Sequence, residues 1–259
     1  MKMIASVAIL SLLAATPTFA GTEAGTKVVA FNASVRVDVD AIGKPVKVEA
    51  PQDLPAAIRS FIEKRVATWR YEPARHDGVA VPATTFVSVG ACAIPTPAGD
   101  GYSLGLDFKG NGPGLVSANG QMPPPAYPRD LMRQGAQGVF NVTYTVQPDG
   151  STHVDDVESM DGSKRYLKSF RPALTAWIEQ MQYQPEIVGG KHVPTRISFP
   201  VEFVLKNGGS HPAWREHYLA ELQARAIASN ECKLATGTSF GPLPVALDSP
   251  VKVTPTPAS

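Results

Sequence analysis

An ordered set of residues recurs in this chain about 112 positions apart: Tyr71-Glu72-Pro73, Gly78 and Val81-Pro82 fall on Tyr183-Gln184-Pro185, Gly190 and Val193-Pro194. Chance supplies one such match but not a run of them in the same order. Two diverged copies of one supersecondary unit are the simplest account, and a repeat limits the fold more than composition does. The length of 259 residues and a hydrophobic content of 43% are enough to bury the one or two modest cores a tandem needs.

The downstream copy is the more complete. Ala126-Tyr127-Pro128 leads into a short helical run, and Gly138 to Val146 alternates as a strand. Asp149-Gly150 is a two-residue turn signal, because Gly takes positive φ and Asp tolerates it, and a returning strand follows from Thr152 to Val157. Phe170, Leu174, Trp177, Ile178 and Met181 lie at helical spacing and mark a core-facing stripe. Tyr183-Gln184-Pro185 closes that helix, and Gly189-Gly190 leads to a last strand, Ile197 to Leu205. Upstream, Val35 to Val39, Gly43, Val46 to Val48 and the stripe Ile58, Ile62, Val66 and Trp69 repeat the order hairpin, helix, strand. The expected fold class is α+β: tandem modules, each a small antiparallel sheet with a helix on one face, followed by a C-terminal helix.

The remaining segments divide the chain further. Met1-Lys2, the apolar run Met3 to Ala15 and Thr18-Phe19-Ala20 have the layout of a cleaved secretory signal peptide over residues 1–20, with an uncleaved anchor as the alternative. The run is shorter than the roughly 20 apolar residues of a membrane span. Residues 27–95 form the upstream, degenerate repeat and residues 96–122 a Gly/Pro-rich linker. Within that linker Tyr102 to Phe108 alternates as a strand able to pair with the first sheet, while Gly110 to Gly114 reads as loop. Residues 123–206 are the downstream domain. Trp214, Tyr218 and Leu222 place a helix in residues 207–236, and residues 237–259 read as a Pro-rich, loosely ordered tail.

Tyr127, Pro128, Gly138, Asp149, Gly150, Tyr183, Pro185 and Gly190, with the closing Pro200-Val201-Glu202-Phe203, carry a resemblance to the C-terminal domain of TonB-type energy transducers. It is marked over residues 123–205 and degenerate over residues 30–94, where the Tyr-Pro opening is missing. The resemblance implies a non-enzymatic binding module in the periplasm of a Gram-negative bacterium, linked to TonB-dependent transport. It also implies that the last strand captures an extended peptide of an outer-membrane receptor. By position the partner-binding residues are Arg196, Ile197, Ser198, Phe199, Val201, Glu202, Phe203 and Val204. An exposed strand offers unpaired N–H and C=O groups to such a peptide, although the same strand could be capped or paired with the other repeat. The long Pro-rich spacer of a transducer is missing from its usual place, so a structural envelope protein is the alternative. It would bind peptidoglycan or a protein partner, its sheet edges closed in a homodimer.

Cys92 and Cys232 are the only cysteines, and an even count in an exported chain favours a disulfide between them over two buried thiols. The formal charge of +1, with no Lys/Arg run, gives no electrostatic case for nucleic acid. His76, His153, His192, His211 and His217 show no metal-ligand spacing, and neither a nucleophile elbow nor a phosphate-cradling glycine loop is found. His153 and Asp155 share a strand face but imply no third group, so the expectation is no enzyme, no metal and no cofactor.

Overall fold

The computed structural model describes residues 29–96, 101–117, 122–160, 164–205 and 244–256, together with Glu216, Ala220, Ser229 and Cys232. The expected signal peptide and most of the expected helix in 207–236 lie outside the described residues.

The first half is built on two long strands. In β1 (Val29–Val39) Ala33, Val35, Val37 and Val39 are buried on one face, as their alternation requires. Gly43, at φ +85°, turns the chain into β2 (Pro45–Glu49). Helix α1 (Ala56–Val66) turns Ile58, Ile62 and Val66 into the same core, and the Glu63 carboxylate accepts a hydrogen bond from the Ala50 N–H at 3.1 Å. Strands β3 (Arg70–Glu72), β4 (Ala74–His76) and β5 (Val79–Val81) are short; β4 and β5 form a hairpin around Gly78. Strand β6 (Ala83–Pro95) pairs with β1 along the whole of β1 and on its other edge with β7 (Tyr102–Gly112), and β8 (Gly114–Leu115) follows.

Residues 96–122 are therefore no mere linker. The alternation at Tyr102 to Phe108 does form a strand of the first sheet, and that strand runs on through Gly110 and Gly112, which read as loop from their composition. Both glycines have φ near +150°, and a Cβ on Gly112 would stand 2.8 Å from the Cβ of Ala246. Here glycine permits a bulged strand and a close approach instead of ending the strand.

The second half repeats the order. Tyr127-Pro128 precedes α2 (Arg129–Arg133), and the Tyr127 ring packs edge-on against Phe170 and Phe203 while its hydroxyl donates to the Ala136 carbonyl. Strands β9 (Gly138–Val146) and β10 (Thr152–Ser159) form the hairpin, and α3 (Lys164–Glu179) lays Phe170, Leu174, Trp177 and Ile178 into the core. Then come β11 (Tyr183–Gln184), β12 (Glu186–Val188), β13 (Lys191–Val193) and β14 (Thr195–Phe203). Strand β9 is central, with β10 on one side and β14 on the other. The fold is α+β and almost wholly antiparallel.

The two sheets are not independent. The β12–β13 hairpin leaves the second sheet and pairs with β6 through Ile187 and Val188, while β11 pairs with β8. Nor is the segment after Gly237 a loose tail throughout. Residues 244–256 form a strap that supplies β15 (Val245–Ala246) to β14 and β16 (Lys252–Thr254) to β3. Val251 is buried in the first core, and the Thr256 carbonyl accepts from Arg65.

Candidate peptide-binding edge

The residues of the Tyr-x-Pro and Asp-Gly motifs build the scaffold that carries β14. Gly150 sits at φ +85°, and a Cβ there would lie 2.2 Å from the Tyr183 carbonyl oxygen; the Tyr183 N–H returns a hydrogen bond to the Gly150 carbonyl at 2.9 Å. The Asp149 carboxylate accepts from the Ser151 hydroxyl and N–H, which hold it below the usual carboxylate range. Turn and Tyr-x-Pro thus interlock. In the first half Gly43, also at φ +85°, meets the Tyr71 carbonyl at the same 2.2 Å. Gly78 and Gly190 are likewise matched, at φ +80° and +81°. The Tyr183 hydroxyl lies 2.7 Å from that of Tyr144 in the core, and burial pushes its pKa up to about 12.

Strand β14 has one edge on β9, from Thr195↔Val146 to Phe203↔Gly138. Its side chains divide by parity. Ile197, Phe199, Val201 and Phe203 are buried beneath α3, so these four of the expected partner-binding residues serve the core through their side chains. Arg196, Ser198 and Glu202 stand on the opposite face at least partly exposed, and Val204 lies just beyond the strand.

Backbone direction matters more for a partner strand. The Leu247 N–H donates to the Arg196 carbonyl at 2.8 Å. Since the N–H and C=O of a given residue point to the same side of an antiparallel strand and alternate along it, Arg196, Ser198, Pro200 and Glu202 direct their backbone groups outward, and Ile197, Phe199, Val201 and Phe203 toward β9. Pro200 has no N–H, and its deficit falls on the outer edge where it spares the inner ladder.

Among the described residues, that outer edge is neither open along its length nor paired with the first sheet. The strap covers its beginning through Ile197↔Ala246 and Ser198↔Val245. Next to them the Asp248 carboxylate accepts from the Arg196 N–H at 2.7 Å and from its Nε at 3.0 Å. Among the described residues the ladder stops beyond Ser198, with Pro200 on one side and Pro244 on the other.

Glu186 binds the strap to both sheets, and no pattern in the sequence singles it out. Fully buried, it accepts hydrogen bonds from Thr85 of β6 at 2.6 Å, Ser249 of the strap at 2.8 Å and Thr195 of β14 at 2.9 Å. Burial raises its pKa, and the three hydroxyls oppose the rise. Asn111 of β7 donates to the Ser249 hydroxyl and the Val251 carbonyl. Cys92 and Cys232 are joined in a disulfide, with Cα atoms 5.6 Å apart. Gly105, opposite Cys92 in β7, makes room for it, since a Cβ there would stand 2.9 Å from both sulfurs.

His153 and Asp155 lie on the same exposed face of β10, and the bulge between Val154 and Asp156 leaves Asp156 exposed as well. His153 lies 3.9 Å from Glu179, and Asp155 accepts from Thr145. Among the described residues no group of three or more His, Cys, Asp or Glu is placed to hold a metal. No helix among them is long and apolar enough to cross a membrane.

Residues 123–205 match the family model of the Gram-negative bacterial TonB protein C-terminal. The match begins just ahead of Tyr127 and ends after β14, so the strap and the whole first half lie outside it. A domain of this family is a protein-interaction module of the TonB type, and with the disulfide it fits a protein of the cell envelope. No curated protein matches the chain.

Proposed function

We propose that this protein is a non-enzymatic periplasmic binding module that captures an extended peptide of an envelope or outer-membrane receptor protein by strand addition to β14. The observation that carries the reading is the asymmetry of β14: among the described residues it has a nine-residue ladder with β9 on one edge, and two register pairs on the other. Backbone bonding alone gives weak capture, because each ladder hydrogen bond contributes roughly 0.5–1.5 kcal/mol net while ordering each peptide residue costs roughly 1–2 kcal/mol. Side chains beside the edge then carry the specificity, and Arg196, Ser198 and Glu202 are the ones on the face away from the core. The link to TonB-dependent transport rests on the family.

A specific observation also favours the other reading, a structural envelope protein. The strap and the β12–β13 hairpin both close edges that a peptide binder would leave open. Photo-crosslinking in intact cells separates the two, with the reactive side chain at position 198 and, as control, at position 64 on α1. Crosslinks to an outer-membrane receptor from position 198 alone support capture by β14. Equal products from both positions, or products confined to cell-wall material, favour the structural role.

A further inference from the structure

The start of the β14 outer edge already holds an extended segment, and that segment is part of this chain. We propose that the edge at Arg196–Ser198 docks an antiparallel extended peptide bearing a carboxylate, and that residues 244–248 are its resident occupant, which an incoming partner displaces. This rests on the edge-capture reading and adds to it the chemistry and the control of the site.

The geometry limits where a partner can bond. Of the residues directed outward, Pro200 offers no N–H, so the consecutive outward donors are those of Arg196 and Ser198. Both lie where the strap is. The strap therefore covers the best part of the edge, and a peptide cannot bond there while Val245–Ala246 remains in register.

The bound strap also shows what the edge selects. Its main chain bonds at Leu247, and the next residue, Asp248, places one carboxylate oxygen on the Arg196 N–H and the other on the guanidinium. An amide at that place would have one acceptor oxygen instead of two and no charge to face the guanidinium, and an apolar residue would have neither. Ala246 meets Gly112 so closely that a Cβ on the glycine would be 2.8 Å away, so the position facing β7 takes a small side chain. The partner is thus an extended segment with a small residue, a further residue and then Asp or Glu.

The strap is held in two separable parts. Residues 249–256 are fixed by Ser249 on Glu186, by buried Val251 and by β16 on β3. Residues 244–248 hold through two register pairs and the exposed Asp248–Arg196 pair. Release of the second part leaves the first in place, so the occupant competes at high local concentration without being lost.

The probe is a fluorescein-labelled peptide with the sequence of residues 243–250, read by anisotropy against the folded protein. Wild type is compared with Ala246→Pro/Asp248→Asn, which weakens only the local grip, and with Ser198→Cys/Val245→Cys, which ties the strap down when oxidised. A strap seated nine-tenths of the time lowers apparent affinity about tenfold. The Ala246→Pro/Asp248→Asn variant should bind at least that much more tightly than wild type, whereas the cysteine variant should not bind when oxidised and should bind when reduced, its own oxidised form being the reference and wild type with and without reductant controlling for the Cys92–Cys232 bond. The same peptide with Asn for Asp should lose most of the gain. Equal binding by wild type and the double variant would overturn the resident-occupant proposal and leave edge capture standing. Binding by none of them would remove edge capture, and the proposal with it.

Discussion

Gly150→Ala separates two costs that usually come together. At φ +85° an alanine carries the steric penalty of the left-handed region, roughly 1–2 kcal/mol. Its Cβ would also lie 2.2 Å from the Tyr183 carbonyl oxygen, more than 1 Å inside the 3.4 Å at which contact becomes ordinary. The Tyr183 backbone must retreat, and its N–H bond to the Gly150 carbonyl, worth about 1 kcal/mol, goes with it. The total is about 2–3 kcal/mol, or a fall in Tm of roughly 4–12 °C for a protein of this size. Gly190→Ala is the control, because φ is +81° but nothing lies within 4 Å of the added Cβ. It should lose the conformational part alone, roughly 1–2 kcal/mol. Urea unfolding of the two variants beside wild type measures the difference. Equal midpoints for Gly150→Ala and Gly190→Ala would refute the argument that the interlock, and not the turn, requires glycine. Gly43→Ala should fall with Gly150→Ala, since its Cβ would meet Tyr71 at the same distance.

Replacing Cys92 and Cys232 by Ala should lower stability by at most about 4–5 kcal/mol, the chain-entropy figure for a long loop, and a thermal melt under reducing conditions should move wild type toward the variant. Gly105→Val should hinder the same bond, measured by free-thiol titration in denaturant, because its side chain would occupy the space of both sulfurs and the Ser229 hydroxyl. Glu186 titrates above the usual carboxylate value of 4.5 in the folded protein, so the native state binds that proton more tightly than the unfolded state. Its stabilisation is full below that value and is lost as pH rises through the folded pKa; Glu186→Gln should flatten the fall in a series of melts from acid to neutral pH. Val201→Pro should unfold the second sheet, detected by circular dichroism, because the Val201 N–H faces β9, whereas Ser198→Pro removes an outward N–H and should leave the β9 ladder intact.

Local order was legible in the residues: β9, β10, α1 and α3 follow from alternation, helical spacing and the turn glycines. So was the pair Cys92–Cys232, because there were only two candidates in a chain read as exported. The core positions of β14 are legible as alternation, but period-two patterning tells which side chains share a face and not which edge of the strand is free.

What only the tertiary structure decided was long-range pairing. Glu186 looks like a surface charge beside Pro185 until β12 swings onto β6 and Thr85, Thr195 and Ser249, from three distant segments, converge on its carboxylate. The strap looked polar and Pro-rich, although Val251-Lys252-Val253-Thr254 carries a short alternation that could have marked β16. Local sequence sets backbone preference and the face each side chain takes, and those are properties of a few neighbouring residues. Which edges meet depends on closing loops of many tens of residues against their entropy, and that balance is settled only when the two cores, the disulfide and the strap are packed together.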